Sequence, residues 1–496
     1  MNLLTDTWIP VQQAGLMEKI SLQQLLCGEK QGELCLPRDD MEFACLQLLV
    51  AITQVLFTPA DKKQLVQRIK QPLTQQEYMA GCEGKLDWFD LDHPETPFMQ
   101  FRGVNAKELT PMDKLMAGVA DGTNKAFVNP QGIVNGLCAG CVSIALYNTA
   151  YNSPSMGGGF KSGMRGSTPI TVLIRGEDLQ QTLWHNVLSE ESLEKEMSWY
   201  SQTTGVPPNY VQGLVKDSKV SVSKIGLLQG LFWQPAHFEL APVESDGACS
   251  CCGQQLPLYS GFKKEKFNYT IEGVWPHPLS ARTFSVKKGQ REEKFPSFTT
   301  TQPSWVHLAK LVVDKDDGKE GYHPVPVITQ LKSFGAKRLD LMVGGYRNNQ
   351  ATVLERRHEM YSLASNWQEN TQIVDELINL AQNYKKTLRK ALYLFGEGIK
   401  DRFAGAGVNL TEQYDALFYQ QTEQLMHQSL ADIDFAHPSP ALDILAAALK
   451  TEVLKLFEQA VSPYQQEPKM LKALASSRRL LNKYLKELET HGGNHE

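Results

Sequence analysis

The chain has 496 residues, 42% of them hydrophobic and 21% charged, and a formal net charge of −5. Such a length exceeds one ordinary hydrophobic core, so two or three domains are expected. The acidic balance excludes a uniformly basic nucleic-acid coat but not a local basic groove, because binding follows the local field.

The start, MNLLTDTWIP, has no basic leading segment and carries Asp6 early, so no export or transit signal is read and the cytosol is expected. Asp39 and Asp40 in LPRDDME stand just before an apolar run. They are read as helix-capping residues, with an acidic metal pair as the alternative. The run from Phe43 to Phe57 is broken by Gln47, Thr53 and Gln54. It is too short and too polar to span a bilayer, and it reads as a buried helix.

Nine cysteines in a long cytosolic chain suit thiols or metal ligands better than disulfides. Cys138 and Cys141 form one CxxC, and Cys249 and Cys252 another, with Cys251 spare between them. Each pair can set two thiolates on adjacent corners of a zinc tetrahedron, and together they complete a closed four-sulfur site. A closed site has no open position for water, so it would staple rather than catalyse. Separate buried thiols, or a redox CxxC, are the alternatives.

MGGGFKSG, Met156 to Gly163, falls one residue short of a phosphate loop, because Phe160 stands between Gly159 and Lys161-Ser162. The side-chain-free backbone of Gly157, Gly158 and Gly159 can still approach a ligand closely and present its amides. Strand-like runs follow at 170–174 (ITVLI), 310–314 (KLVVD) and 324–328 (PVPVI). His237 and His277, lone among aromatics, read as packing residues. Between residues 256 and 294 there are eight Lys/Arg against four Asp/Glu, including Lys263, Lys264, Lys266, Lys287 and Lys288. This is either a solvated charged face or a polyanion site. In GGYRNNQA, Asn349 and Gln350 follow a glycine turn. Tandem amides there can pair with base edges or serve turn and cap chemistry. No HExxH, GxSxG, complete Walker A or dinucleotide glycine motif occurs.

After about residue 360 the pattern becomes helical. Apolar residues recur at steps of three, four or seven in four sets: Ile373 to Phe395, Tyr414 to Leu425, Leu442 to Ala460 and Leu471 to Leu488. Breaker loops at 405–409, 437–440 and 462–468 part them. The expected fold class is α+β: a mixed α/β domain over 1–358 with long loops, then a four-helix bundle over 359–496. The polar faces of these helices carry Lys385, Lys386, Arg389, Lys390, Arg478 and Arg479.

An ordered series of segments makes the sequence specific. MNLLTDTWIPV, LPRDDME, NKAFVNPQG, GGGFKSGMRG, GLFWQPAH, CSCCG, GFKKEKF, GGYRNNQA and LERRHE resemble, in order, those of the CasA family. These are the large subunits of the type I-E CRISPR RNA-guided surveillance complex, Cascade. The resemblance implies a non-catalytic subunit that reads the protospacer-adjacent motif (PAM) of duplex DNA from the minor groove. A glycine loop would match Gly157, Gly158 and Gly159, a lysine finger Lys266, and a glutamine wedge Asn349, Gln350 and Ala351. A further loop, about Phe127 to Cys141, would contact the guide-RNA handle and the complex, through Phe127 and Asn129. The cysteine pairs Cys138, Cys141, Cys249 and Cys252 would bind structural zinc. Partners would be the other Cascade subunits, the guide RNA, the target duplex and a separate helicase-nuclease. Lys287, Lys288, Lys385, Lys386, Arg389 and Lys390 are candidates for holding the displaced strand. The chain departs from the family at Ser155-Met156, where the glycine loop can begin with another glycine.

Overall fold

The computed structural model describes residues 1–119, 133–243, 245–335 and 338–492. The chain divides into two units. The first comprises residues 1–299, 314–334 and 341–360, and the second 300–313, 335–340 and 361–496. Among the described residues no helix is long and apolar enough to cross a membrane.

The expected buried helix forms in the first unit as Asp39–Leu56. It is enclosed on nearly every side, with Phe43, Leu46, Leu48, Leu49, Val50 and Ile52 all buried. The polar breaks that exclude a membrane span find partners inside the protein. Thr53 Oγ1 donates to its own helix at Leu49 O (2.8 Å), and Gln54 exchanges hydrogen bonds with the Leu188 backbone (3.0 and 2.7 Å). Asp39 and Asp40 occupy the first turn of this helix, and the capping position falls to Arg38, which makes no side-chain cap bond. The helix packs against Ala139–Tyr151 and Leu179–His185.

Around these helices lie small sheets of two to four strands. One three-stranded sheet sets the Leu339–Asn349 strand between Thr352–Leu363 and Thr171–Ile174. Leu341 faces Ile174 and Gly344 faces Thr171 in antiparallel register. The sequence run at 170–174 is therefore a strand, buried at every position from 170 to 174. The other two runs are corrected. KLVVD falls largely in the Leu308–Val312 helix, and PVPVI opens the Pro326–Lys332 helix. A short apolar run fits either a strand or a helix by pattern alone. Leu308, Leu311 and Val312 stand three and four residues apart and are all buried. Pro326 lies in the first turn, where its missing N–H costs nothing.

In the second unit four long helices run over Gln372–Glu397, Thr411–Asp432, Ser439–Val461 and Leu471–Gly492. The first packs on the other three and on Leu308–Val312. The buried face of the second differs in part from the expected one. Tyr414, Phe418, Thr422, Met426 and Leu430, each four residues apart, face inward, while Leu417 and Leu425 are half-buried. Thr422 tolerates burial because its hydroxyl donates to Phe418 O at 2.7 Å. Gly398, with φ +75°, ends the first helix in a conformation that glycine adopts without strain.

Candidate nucleic-acid interface and cysteine cluster

The two CxxC pairs meet. Cys138 ends a short strand, Leu137–Cys138, and caps the Ala139–Tyr151 helix, which carries Cys141 in its first turn. Cys249 and Cys252 lie in the turn between the antiparallel strands Ser245–Ala248 and Gln255–Tyr259. Gly253, at φ +73°, closes that turn by donating to Cys249 O at 2.8 Å. Leu258 pairs with Cys138, which joins the strand to the hairpin and brings the sulfurs together. All four Sγ atoms lie within 4.8 Å of one another, and Cys138 and Cys252 are 3.8 Å apart. Sulfurs on a zinc tetrahedron with bonds of about 2.3 Å stand about 3.8 Å apart, so the set fits. Hydrogen bonds from Cys138 and Cys141 pull the Cys249 thiol far below its ordinary value and the Cys252 thiol down to about 7. Cys249 and Cys252 thus favour the thiolate, the form that binds metal, whereas hydrogen bonding with their sulfur neighbours and burial push the Cys138 and Cys141 thiols up. Cys251, buried as well, hydrogen-bonds with Cys141 but stands outside the four-sulfur group. Lys19 was not singled out from sequence. Its Nζ donates to Cys138 Sγ at 3.4 Å. Burial opposes its charge, but the neighbouring sulfurs of Cys138, Cys252 and Cys141 hold its pKa above the ordinary value.

The second constellation joins residues far apart in sequence. Gly157, Gly158 and Gly159 have φ of +75°, +53° and +88°, a left-handed run that only glycine adopts cheaply. Phe160 N donates to Gly157 O (3.0 Å) and closes the turn. The chain then passes through further turns into the strand Thr171–Ile174. A phosphate loop would wrap a helix start instead. Gly158 and Gly159 are exposed. A Cβ built on Gly159 would lie 3.6 Å from Lys266 Nζ, and one on Gly157 would lie 3.3 Å from Ala351 Cβ. Glycine loop, lysine and hairpin tip therefore share one surface. Lys266, Asn349, Gln350 and Ala351 are all exposed.

The hairpin tip is held from below. Gln350 takes φ +52°, and its carbonyl accepts from Asn348 Nδ2 at 2.6 Å. Asn348 in turn accepts from Thr168 Oγ1 (2.7 Å), which ties the tip to the chain just past the glycine loop. Arg165 anchors that same stretch. Its guanidinium is 4% exposed and donates to Thr171 and Ser280 hydroxyls (2.7 Å each), Tyr151 O (3.0 Å) and Asn152 Oδ1 (3.2 Å). Lower in the hairpin, Tyr346 donates to Asp40 Oδ2 at 2.9 Å. Asp40, 2% exposed, also receives Arg38 in a two-pronged pair (3.0 and 2.7 Å) and Arg356 at 3.4 Å. Asp39 pairs with His358 at 2.9 Å. The two aspartates thus do more than start a helix: they bolt it to the hairpin.

The remaining candidates fare differently. Phe127 and Asn129 lie outside the described residues. Lys287 and Lys288 are exposed at a hairpin end, with Lys287 paired to Glu292 at 3.2 Å. Lys386, Arg389 and Lys390 are exposed. Arg389 pairs with Asp415, and Lys390 Nζ stands 4.5 Å from the centre of the Tyr484 ring. Lys385 is buried and already balanced by Asp415 at 3.6 Å. Arg478 is engaged by Glu458 at 2.6 Å, and Arg479 is exposed. His237 lies stacked between Phe101 and Phe267, with ring centres 4.0 and 4.3 Å away, and His277 is fully buried, as the packing reading expects.

Solved structures share this fold. Thermobifida fusca Cse1 is 16% identical, with 99% of this chain and 98% of that one covered and a TM-score of 0.75. Thermus thermophilus CasA (Cse1) is 17% identical, with 98% and 99% covered and a TM-score of 0.74. For Cse1 from Acidimicrobium ferrooxidans the identity is 14%, the coverage 99% and 98%, and the TM-score 0.71. Likeness at such identities carries the fold. The family model for CRISPR-associated protein Cse1 matches residues 2–461, nearly the whole chain. The resemblance read from the ordered segments is borne out, and the chain belongs to the CRISPR-associated protein Cse1 family.

Proposed function

We propose that this chain is the non-catalytic large subunit of a type I-E Cascade complex, in which it reads the PAM of duplex DNA and starts strand separation. The observation that carries this reading is the meeting of Gly157–Gly159, Lys266 and Ala351 on one exposed surface. The minor groove distinguishes mainly A·T from G·C pairs, through shared acceptors and the guanine amino group. A backbone loop and one lysine can sense that pattern and the groove width without demanding one strict sequence. A degenerate PAM follows. In this reading Asn349 and Gln350, at the tip beside the loop, wedge the first target base pair. Unstacking costs on the order of a few kcal/mol per step, offset by groove contacts and then by guide pairing.

Within this reading the first domain, 1–358, carries the groove reader and a zinc staple at Cys138, Cys141, Cys249 and Cys252. The loop around Phe127 and Asn129 meets the guide-RNA handle and the other Cascade subunits. The second domain, 359–496, is a four-helix bundle. In this reading its exposed Lys386, Arg389 and Lys390 contact the displaced strand, whereas Lys385 is spent on Asp415; Lys287 and Lys288 are separate candidates for such contacts in the first domain. The opened complex then recruits the helicase-nuclease.

The test is strand opening by Cascade reconstituted with this chain. A guide-matched duplex carries 2-aminopurine at the first target pair. Gln350→Ala should bind the duplex but lose most of the fluorescence rise that reports opening. Unchanged opening in that variant would contradict the wedge.

A further inference from the structure

Phe160 looks, in sequence, like the residue that spoils a phosphate loop. In the fold it has a definite neighbourhood. Its backbone closes the glycine turn, and its half-buried ring receives two ammonium groups. Lys264 Nζ lies 5.4 Å from the ring centre and Lys266 Nζ 5.9 Å. Lys264 belongs to the strand Gly261–Glu265, and Lys266 follows it directly. Residues two apart on an extended chain point the same way. Lys263, between strand neighbours of opposite direction, pairs instead with Glu239 at 3.7 Å. Among the described residues neither Lys264 nor Lys266 has a carboxylate partner. The shared neighbour of these two like charges is therefore an aromatic face, whose quadrupole attracts cations. Without it, mutual repulsion and side-chain entropy would let both lysines splay into water.

We infer that Phe160 is a positioning residue of the groove reader, holding Lys266 against Gly158–Gly159, and that Lys264 is a second cation of the same site, suited to a backbone phosphate at the groove rim. This rests on the DNA-reading role above and adds two residues to it. The division of labour follows from the geometry. Lys266, beside the exposed glycines, contributes to discrimination between flanking sequences. Lys264 is half-buried, and burial pushes its pKa down. It contributes attraction to any sequence alike.

Two measurements test this together. In the isolated full chain, lysines carrying 13C-labelled dimethyl groups keep their charge, and their NMR signals report ring contact. The Lys264 and Lys266 signals, assigned with Lys264→Arg and Lys266→Arg, should be shifted upfield by the ring. They should return to ordinary positions in Phe160→Leu and stay shifted in Phe160→Tyr. In the reconstituted complex, binding to guide-matched duplexes with randomised flanks should lose about three- to tenfold in discrimination with Phe160→Leu, the range set by one or two cation–π contacts. Phe160→Tyr should restore it. Lys264→Met should weaken all flanks evenly and reduce the salt slope by about one. If Lys266→Ala alters flank preference while Phe160→Leu leaves it intact, the positioning role is overturned and the DNA reading survives. If Lys266→Ala changes nothing, the DNA reading fails and this inference falls with it. Unshifted lysine signals in the wild-type chain overturn the ring contact itself.

Discussion

Lys19 sets its ammonium 3.4 Å from the sulfur of Cys138, inside the shell of the four-cysteine cluster. A divalent ion held by four thiolates leaves an excess of negative charge, and a half-buried lysine hydrogen-bonded to one sulfur offsets part of it. Groups that support metal ligands in this way commonly contribute about 10- to 100-fold in affinity. Lys19→Gln should therefore release zinc about tenfold more readily to a competing chelator, with the fold retained. Equal retention in variant and wild type would assign Lys19 a packing role alone.

The cluster itself makes a sharper prediction. Purified protein should carry about one zinc per chain by elemental analysis. Cys249→Ala should lose it, because that sulfur is one of the four. Cys251→Ala should keep it, since the adjacent Cys251 stands outside the group. Acidification should release the metal, because falling pH protonates the thiolates that hold it. Loss of zinc from Cys251→Ala would mean that the ligand set is different.

Gly159 has φ +88° and looks toward Lys266. An alanine there costs on the order of 1–2 kcal/mol in backbone strain and sets a methyl group against the lysine. Gly159→Ala should lower DNA affinity of the assembled complex about tenfold. A thermal melt of the isolated chain should shift by only a few degrees. An unaffected affinity would argue that the loop does not approach the groove.

Asp40 is buried among Arg38, Arg356 and Tyr346. Removing its charge leaves two cations and a hydroxyl short of an acceptor. Asp40→Asn should destabilise the first unit by about 2–4 kcal/mol, read as a lower denaturant midpoint. It should also loosen the root of the hairpin that carries Asn349 and Gln350, visible as faster amide exchange at the tip. An unchanged midpoint would show that the network adds nothing to stability.

These contacts also mark what the sequence made legible. The helix around Phe43–Phe57 and the helices at 372–397 and 439–461 follow from apolar spacing, which needs no distant partner. The cysteine pairs were readable because a CxxC is itself a local geometry, even though about a hundred residues separate the two. KLVVD and PVPVI are ambiguous because apolar runs this short suit a strand or a short helix equally. What decided them was packing and a proline in the first turn. The meeting of Gly157, Lys266 and Ala351 had no local signal; only the ordered family segments pointed there. Asp40 was legible as a helix-start residue, but its bond to Tyr346 spans 306 positions. Lys19, Arg165 and the ring contacts of Phe160 belong to the same class, in which tertiary folding alone supplies the partner.

The most direct test of the account is flank selection by the reconstituted complex. One guide-matched target is offered with every flanking trinucleotide, and bound molecules are sequenced for wild type and Lys266→Ala. The account predicts that wild type retains a limited, degenerate set of flanks and that Lys266→Ala flattens this preference by about tenfold, with guide-dependent binding still present. Equal retention of every flank by the wild-type complex, with Lys266→Ala indistinguishable from it, would contradict a DNA-reading role for this surface.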